Sequence, residues 1–377
     1  MMRLPLLIAG CILIYACNSN HDRYAPAYRA FDGIDVIRIA IDKKDVVNLY
    51  PDAFETISIP GGPDFYGGYG HHMVVLANTL FLVSNDRKSI ILYDLVKEEV
   101  PDSYSFEGRG PGEYVNIDFL LTDGNDLFIL DRSSFKLVQY DKYFNHIDDH
   151  RLDDVTQHFG GVVVHNNYVV YTIETDERYL LRRKLLNEEV SSDYSFHQRT
   201  ISLGKQPRAY NHLRLKINNT GKLAALSHRM PLVFLYEEDM QPEVILRLSG
   251  EHIEKYDTAP ASDPPLFDDG TILINPPPVD IEKNKTVRLD AFSFFDAVYS
   301  EYKLYLYFSN RYAQERYLIV LENKSGKWIH SGNYRFKKDE QDLFTVFYLA
   351  FDDPWLYLGS PFEEDIIRVN VNNLPAN

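Results

Sequence analysis

The chain has 377 residues, a formal net charge of −16 and 45 % hydrophobic residues, so one large domain or two ordinary ones can bury a sizeable core. The acidic balance argues against nucleic acid, which draws most of its affinity from a basic stripe, and against electrostatic docking on anionic lipid. Aromatics reach 14 %, led by 27 Tyr and 22 Phe, which favours strands over helices.

The first element is a targeting segment. Met1-Met2-Arg3 gives a short positive start, and Leu4 to Ala16 is almost wholly apolar. At about 13 residues it falls short of the roughly 20 that span a bilayer and fits a signal-peptide core. Both cysteines lie here. Ile14-Tyr15-Ala16-Cys17 has the form of a bacterial lipobox, which makes Cys17 the expected lipid attachment residue. Ile8-Ala9-Gly10-Cys11 is a rival with smaller residues before its cysteine, but it would leave Ile12 to Tyr15 greasy on the mature chain. An ordinary signal peptide with incidental cysteines is a third reading. No later stretch is long and apolar enough to span, so the membrane is expected only through the lipid anchor. Beyond Cys17 there is no cysteine for disulfides or metal sites. Residues 1–17 are therefore read as signal peptide, 18–45 as a tether and N-terminal segment, and 46–377 as the folded domain.

From there one pattern recurs: an apolar strand, a polar turn, a second strand containing Tyr, another polar turn. "LFLVSNDRKSIILYDL" starts at Leu80, "LFILDRSSFKLVQYDK" at Leu127 and "YVVYTIETDERYLLRRKL" at Tyr168. "LAALSHRMPLVFLYEE" starts at Leu223, "LYLYFSNRYAQERYLIVLEN" at Leu304 and "WLYLGSPFEEDIIRVNVN" at Trp355. The longest step holds a Pro/Asp-rich insertion near 255–285. Six copies at such spacing predict an all-β, six-bladed β-propeller. The last copy ends too close to the C-terminus to supply a fourth strand. "FETISIP" (Phe54 to Pro60) is therefore expected to complete that blade from the N-terminal side. A seventh blade from "TILIN" is disfavoured by Pro276-Pro277-Pro278.

With its lipobox, the "FETISIP" strand and "GRGPGEY" (Gly108 to Tyr114), the chain resembles the six-bladed β-propeller lipoproteins of Gram-negative anaerobes, relatives of the NHL and TolB-like propellers. The resemblance implies the fold over about residues 45–377 and is nearly silent on activity.

"EGRGPGEYVNIDFLL" poses a choice between a phosphate cradle and a turn. A phosphate cradle opens a helix. Here Val115 to Phe119 alternates like a strand, and Pro111 removes an amide from the would-be cradle. Pro111-Gly112 instead suits the centre of a type II turn. Such a loop joins the outer strand of one blade to the inner strand of the next, over the end of the channel. Arg109 and Glu113 then either pair to fix the loop or face the channel mouth. With Asp118, His165 and His212, histidines placed near strand beginnings, they form the candidate ligand-binding set. His71-His72 point to opposite strand faces and do not readily share a metal. Gly-x-Ser-x-Gly is absent, and "DRSSF" (Asp131 to Phe135) reads as turn chemistry.

The expected function is a non-enzymatic, lipid-anchored envelope propeller that binds a protein, peptide or glycan on one face of the ring, without cofactor. The outer membrane is the expected location, its periplasmic side favoured because "NSNHD" after Cys17 holds one acid. The alternative is a divalent-cation-dependent hydrolase or lactonase, with calcium held in the channel by Glu113, Asp118 and Asp296.

Overall fold

The computed structural model describes residues 31, 33–59, 73–84, 86–152, 154–155, 161–173, 176, 179–186, 194–198, 212–228, 230–250, 253, 292–310, 315–338, 341–342, 346, 348–360 and 365–375. Cys17, His71-His72 and the insertion lie outside these residues.

Three short strands come first: β1 (Val36–Ala40), β2 (Val46–Leu49) and β3 (Glu55–Ser58). Blade one is β4 (Met73–Leu76), β5 (Thr79–Val83), β6 (Ile90–Asp94) and β7 (Glu99–Tyr104). Blade two is β8 (Phe119–Thr122), β9 (Leu127–Asp131), β10 (Lys136–Tyr140) and β11 (His146–Arg151). Blade three is β12 (Val162–His165), β13 (Tyr168–Thr172), β14 (Tyr179–Leu185) and β15 (Tyr194–Gln198). Blade four is β16 (Leu213–Ile217), β17 (Leu223–Ser227), β18 (Leu232–Tyr236) and β19 (Pro242–Ser249). Blade five is β20 (Phe292–Tyr299), β21 (Lys303–Asn310), β22 (Glu315–Lys324) and β23 (Lys327–Lys338), with β24 (Gln341–Asp342) paired to β23. Blade six is β25 (Tyr348–Asp352), β26 (Trp355–Gly359) and β27 (Asp365–Asn370), closed by β3. The fold is an all-β, six-bladed propeller.

Each quoted repeat is the second and third strand of one blade. Those strands lie between sheet neighbours and carry packed faces on both sides, so they read as near-continuous apolar runs. Along β9, Leu127 and Ile129 enter the core shared with blade one, while Phe128 and Leu130 enter the core shared with blade three. The period of two thus distributes one strand between two cores. Among the described residues six such cores run round the ring, each drawn from adjacent blades, and one of them joins Ile57, Met73, Leu80 and Tyr348 of blades six and one.

β3 pairs antiparallel with β27, Ile57 opposite Ile366, so the N-terminal strand expected from "FETISIP" closes the last blade. The two strands before it lie within or beside the segment read as a tether. β1 adds in parallel to the outer edge of blade four, and β2 in parallel to that of blade five. The chain thereby covers two open sheet edges before completing a third sheet.

The candidate site: central channel and glycine loop

The inner strands β4, β8, β12, β16, β20 and β25 surround a channel with a cavity of about 210 Å³. Its wall is mostly aliphatic, including Val75, Leu121, Val163 and Leu349. Lys216 of that wall is ion-paired, its Nζ in blade four lying 2.7 Å from Asp296 Oδ1 of blade five. Asp296 is buried, and its Oδ2 accepts the amide of Leu349 of blade six at 2.8 Å. The pair therefore joins three blades at the axis. Burial lowers the Lys216 pKa against the opposing pull of Asp296.

Residues 105–118 connect β7 to β8. Glu113 N donates to Gly110 O at 3.1 Å, and Gly112 has φ +70°, so Pro111-Gly112 form the expected turn with the glycine at its positive-φ position. The expectation that this loop crosses the channel end is corrected. Its backbone is held by the third and fourth strands of blade two, far from the axis. Gly112 N donates to the Asp149 carboxylate at 3.2 Å, and the Tyr140 hydroxyl donates to Gly112 O. Lys136 Nζ donates to Gly110 O at 2.8 Å and lies 3.2 Å from Asp149 Oδ2. The close approach needs glycine: a Cβ on Gly112 would sit 2.8 Å from Cγ of His146.

The candidate residues do not assemble into one site. The Glu113 carboxylate accepts the Gly110 amide at 2.7 Å, and among the described residues no ion pair joins it to Arg109. Arg109 is exposed on the loop. Asp118 is a tie between blades: it pairs with Arg87 of the β5–β6 hairpin and accepts the Arg132 amide of the β9–β10 hairpin at 2.8 Å. His165 ends β12 rather than beginning a strand. It is buried, packs on the Tyr168 ring at 5.6 Å between centroids and is held below the usual imidazole range by desolvation. His212 precedes β16, and its carbonyl accepts the His228 amide at 2.9 Å. Inner strands run in one direction, so these two histidines belong to opposite faces of the ring. Glu113, Asp118 and Asp296 likewise do not converge. The partners of Asp118 are in blades one and two, and those of Asp296 in blades four and six.

Tyr114 is fully buried, donates its hydroxyl to Lys88 O at 3.1 Å and has its pKa pushed to about 12 by burial. Asp131 carries more of the loop than sequence reasoning assigned it. It accepts the Val115 amide at 2.7 Å, the Ser134 hydroxyl at 2.8 Å and the Ser133 amide at 2.9 Å. The signal was present in "DRSSF", whose Asp and Ser are turn formers, but the reach to Val115 is not written in the turn itself.

The DUF5128 family model, described as a 6-bladed beta-propeller, matches residues 104–228. No curated protein matches the sequence. Among solved structures, a protein of Bacteroides fragilis superposes with a TM-score of 0.54 at 11 % identity, covering 88 % of this chain and 99 % of that one. A member of the duf4221 family from Bacteroides vulgatus superposes with a TM-score of 0.51 at 8 % identity, covering 84 % of this chain and 95 % of that one. At these identities the likeness is one of fold.

Proposed function

We propose that the protein is a lipid-anchored binding module of the cell envelope that takes a protein, peptide or glycan on one face of the ring. The observation that carries this reading is the placement of exposed apolar side chains. Val96, Tyr143 and Tyr302 are 74 %, 70 % and 59 % exposed. They occupy the β6–β7, β10–β11 and β20–β21 hairpins. First and third strands of a blade run in the same direction, so all three hairpins emerge on the same face. Tyrosine offers large, rigid contact area with a polar tip, at little cost in conformational entropy. The channel supports the same reading: its wall is aliphatic, and its Asp296 is already engaged by Lys216. Anchoring rests on Cys17 and the apolar segment before it, and the periplasmic side of the outer membrane is the proposed location.

Two experiments test this. Cys17→Ala should leave the protein unprocessed or shift it from the membrane to the soluble fraction; normal processing and membrane retention would remove the anchor. For the face, photo-crosslinkers placed at Tyr143, Tyr302 and Arg109 are compared in intact envelopes. Capture of a defined adduct from the two tyrosine positions but not from Arg109 is expected. Capture from Arg109 alone would assign binding to the opposite face.

A further inference from the structure

Two hairpins of the ring face described above set an exposed tyrosine beside a carboxylate. In the β10–β11 hairpin Asp141 Oδ1 accepts the Tyr143 amide at 2.8 Å, and the tyrosine is 70 % exposed. A cation of the chain already sits on that ring: Lys142 Nζ lies 5.2 Å from its centre, within cation–π range. In the β20–β21 hairpin the Tyr302 hydroxyl donates to Glu301 Oε1 at 2.6 Å, and both residues are exposed. Among the described residues no cation stacks on the Tyr302 ring or pairs with Glu301. The same ring and acid are thus matched by a cation in one hairpin and unmatched in the other.

The surroundings carry the same sign. Glu98, Glu238, Asp239 and Asp353 are exposed on hairpins that emerge on this face, and none is in an ion pair among the described residues. Turn chemistry accounts for Asp239, which accepts the Gln241 amide at 3.0 Å. The side chains of Glu98 and Glu238 accept no hydrogen bond among the described residues. Of the nearby cations, Lys97, Lys222 and Lys324 are matched by Asp94, Glu237 and Glu322. The exposed cations left over are Lys142, which lies on Tyr143, and Lys327. On the opposite face Arg87 and Lys88 are matched by Asp118 and Glu107.

We propose that the partner taken by this face is a protein with a basic segment, one of whose arginines stacks on Tyr302 and pairs with Glu301. The inference rests on the face reading above and narrows its partner from protein, peptide or glycan to a cationic chain. A guanidinium suits the place because its plane lies flat on an aromatic ring while its N–H groups reach a carboxylate. At physiological salt a charge acts over about 8 Å, so the acid directly beside the ring determines the contact. The other carboxylates of the face favour approach of a basic partner and disfavour an anionic one. A neutral glycan would leave all of them unmatched.

Fluorescence anisotropy of a labelled peptide of alternating arginine and glycine, titrated with the folded chain at physiological salt, tests the proposal. A peptide with glutamate in place of arginine and a neutral chitin oligosaccharide are the comparators. The proteins are wild type, the pair Tyr302→Ser with Glu301→Gln, and the pair Tyr50→Ser with Asp148→Asn. The last pair removes an exposed tyrosine and an exposed acid elsewhere, with the same change in net charge. Wild type should bind the arginine peptide saturably and in preference to both comparators. The Tyr302 and Glu301 pair should bind about tenfold more weakly, as expected for one exposed ion pair and one cation–π contact. The Tyr50 and Asp148 pair should bind like wild type. No saturable binding by wild type, equal losses in the two pairs, or tighter binding of the oligosaccharide would each overturn the inference. Crosslinked adducts from Tyr143 and Tyr302 in envelopes, with no arginine-peptide binding, would overturn the basic partner and leave the face reading in place. No adduct from either position would overturn the face reading, and this inference with it.

Discussion

Arg368 on β27 holds Glu55 on β3 across 313 positions of sequence, its Nε 2.9 Å from Glu55 Oε2, with the guanidinium 4.7 Å from the ring centre of Trp355. The pair marks the line where the ring closes, but the closure does not depend on it. Glu55 is half exposed, and exposed pairs contribute at most about 1 kcal/mol. Glu55→Ala should therefore shift the urea midpoint little. Deleting residues 54–58 should do much more, because it removes Ile57 from the core between blades six and one and leaves β27 as an open edge. A deletion variant that unfolds as cooperatively as wild type would show that the ring does not need its clasp.

Gly112 combines a positive φ with a close neighbour. Gly112→Ala should destabilise the fold by about 1–3 kcal/mol, since a β-carbon is strained there and would also meet His146. Adding His146→Ala takes away the Cγ and Cδ2 contacts and leaves the Cβ contact at 3.1 Å and the strain, so the double variant should recover only part of the loss in denaturant unfolding. Full recovery would show that the φ contributes nothing.

The channel ion pair gives a prediction about asymmetry. Asp296→Ala takes from the buried Lys216 its partner at 2.7 Å and should cost about 3–5 kcal/mol. Replacing both partners together, Lys216→Met with Asp296→Leu, should cost much less than Asp296→Ala alone. A double-mutant cycle by urea unfolding measures the difference. Additive losses would mean that the two side chains do not interact.

His197 sets an acid dependence. It is buried between blades three and four against Phe31, Phe234 and the Tyr236 hydroxyl, and its Nε2 has no partner among the described residues. Burial pushes its pKa down from 6.5 to about 3. Between those values the unfolded chain holds the extra proton. Stability is therefore full above about pH 6.5 and falls as the pH drops towards 3, by up to about 1.4 kcal/mol per pH unit for this one group. His150, His165 and His330 are lowered by burial as well and act in the same direction. His197→Gln should flatten the decline measured by urea unfolding between about pH 6 and 4.5. An unchanged slope would place the titration elsewhere.

Blade number and ring closure were legible because they rest on local signals: hairpins repeated six times, and a strand-like run at the end of the chain where a strand was needed. The Pro-Gly turn was legible for the same reason, since proline fixes its own φ and glycine admits the positive one that follows. What escaped detection depends on distant partners. β1 and β2 pair in parallel with strands some two hundred positions or more away, and short apolar stretches do not record which edge they will cover. The landing place of the glycine loop depended on Lys136, Tyr140 and Asp149 of a later hairpin. The Arg and Lys alternating with leucines along β16 have the pattern of a solvated face, but Lys216 reaches Asp296 of the next blade, a partner 80 positions on. Asp118 stood among the candidates as one of three acids that could converge on a channel cation, and its partner Arg87 lay in a turn that explained itself.

The three N-terminal strands also determine how a pull on the start of the chain is distributed. Tension meets Phe31 in the core between blades three and four, then the five paired positions of β1, then the four of β2, before it reaches β3. These contacts are arranged in series. The first two strands can detach from finished sheets without opening the ring, whereas the third cannot. A propeller tugged from its N-terminal side thus has two strands to shed before its circular closure carries any load.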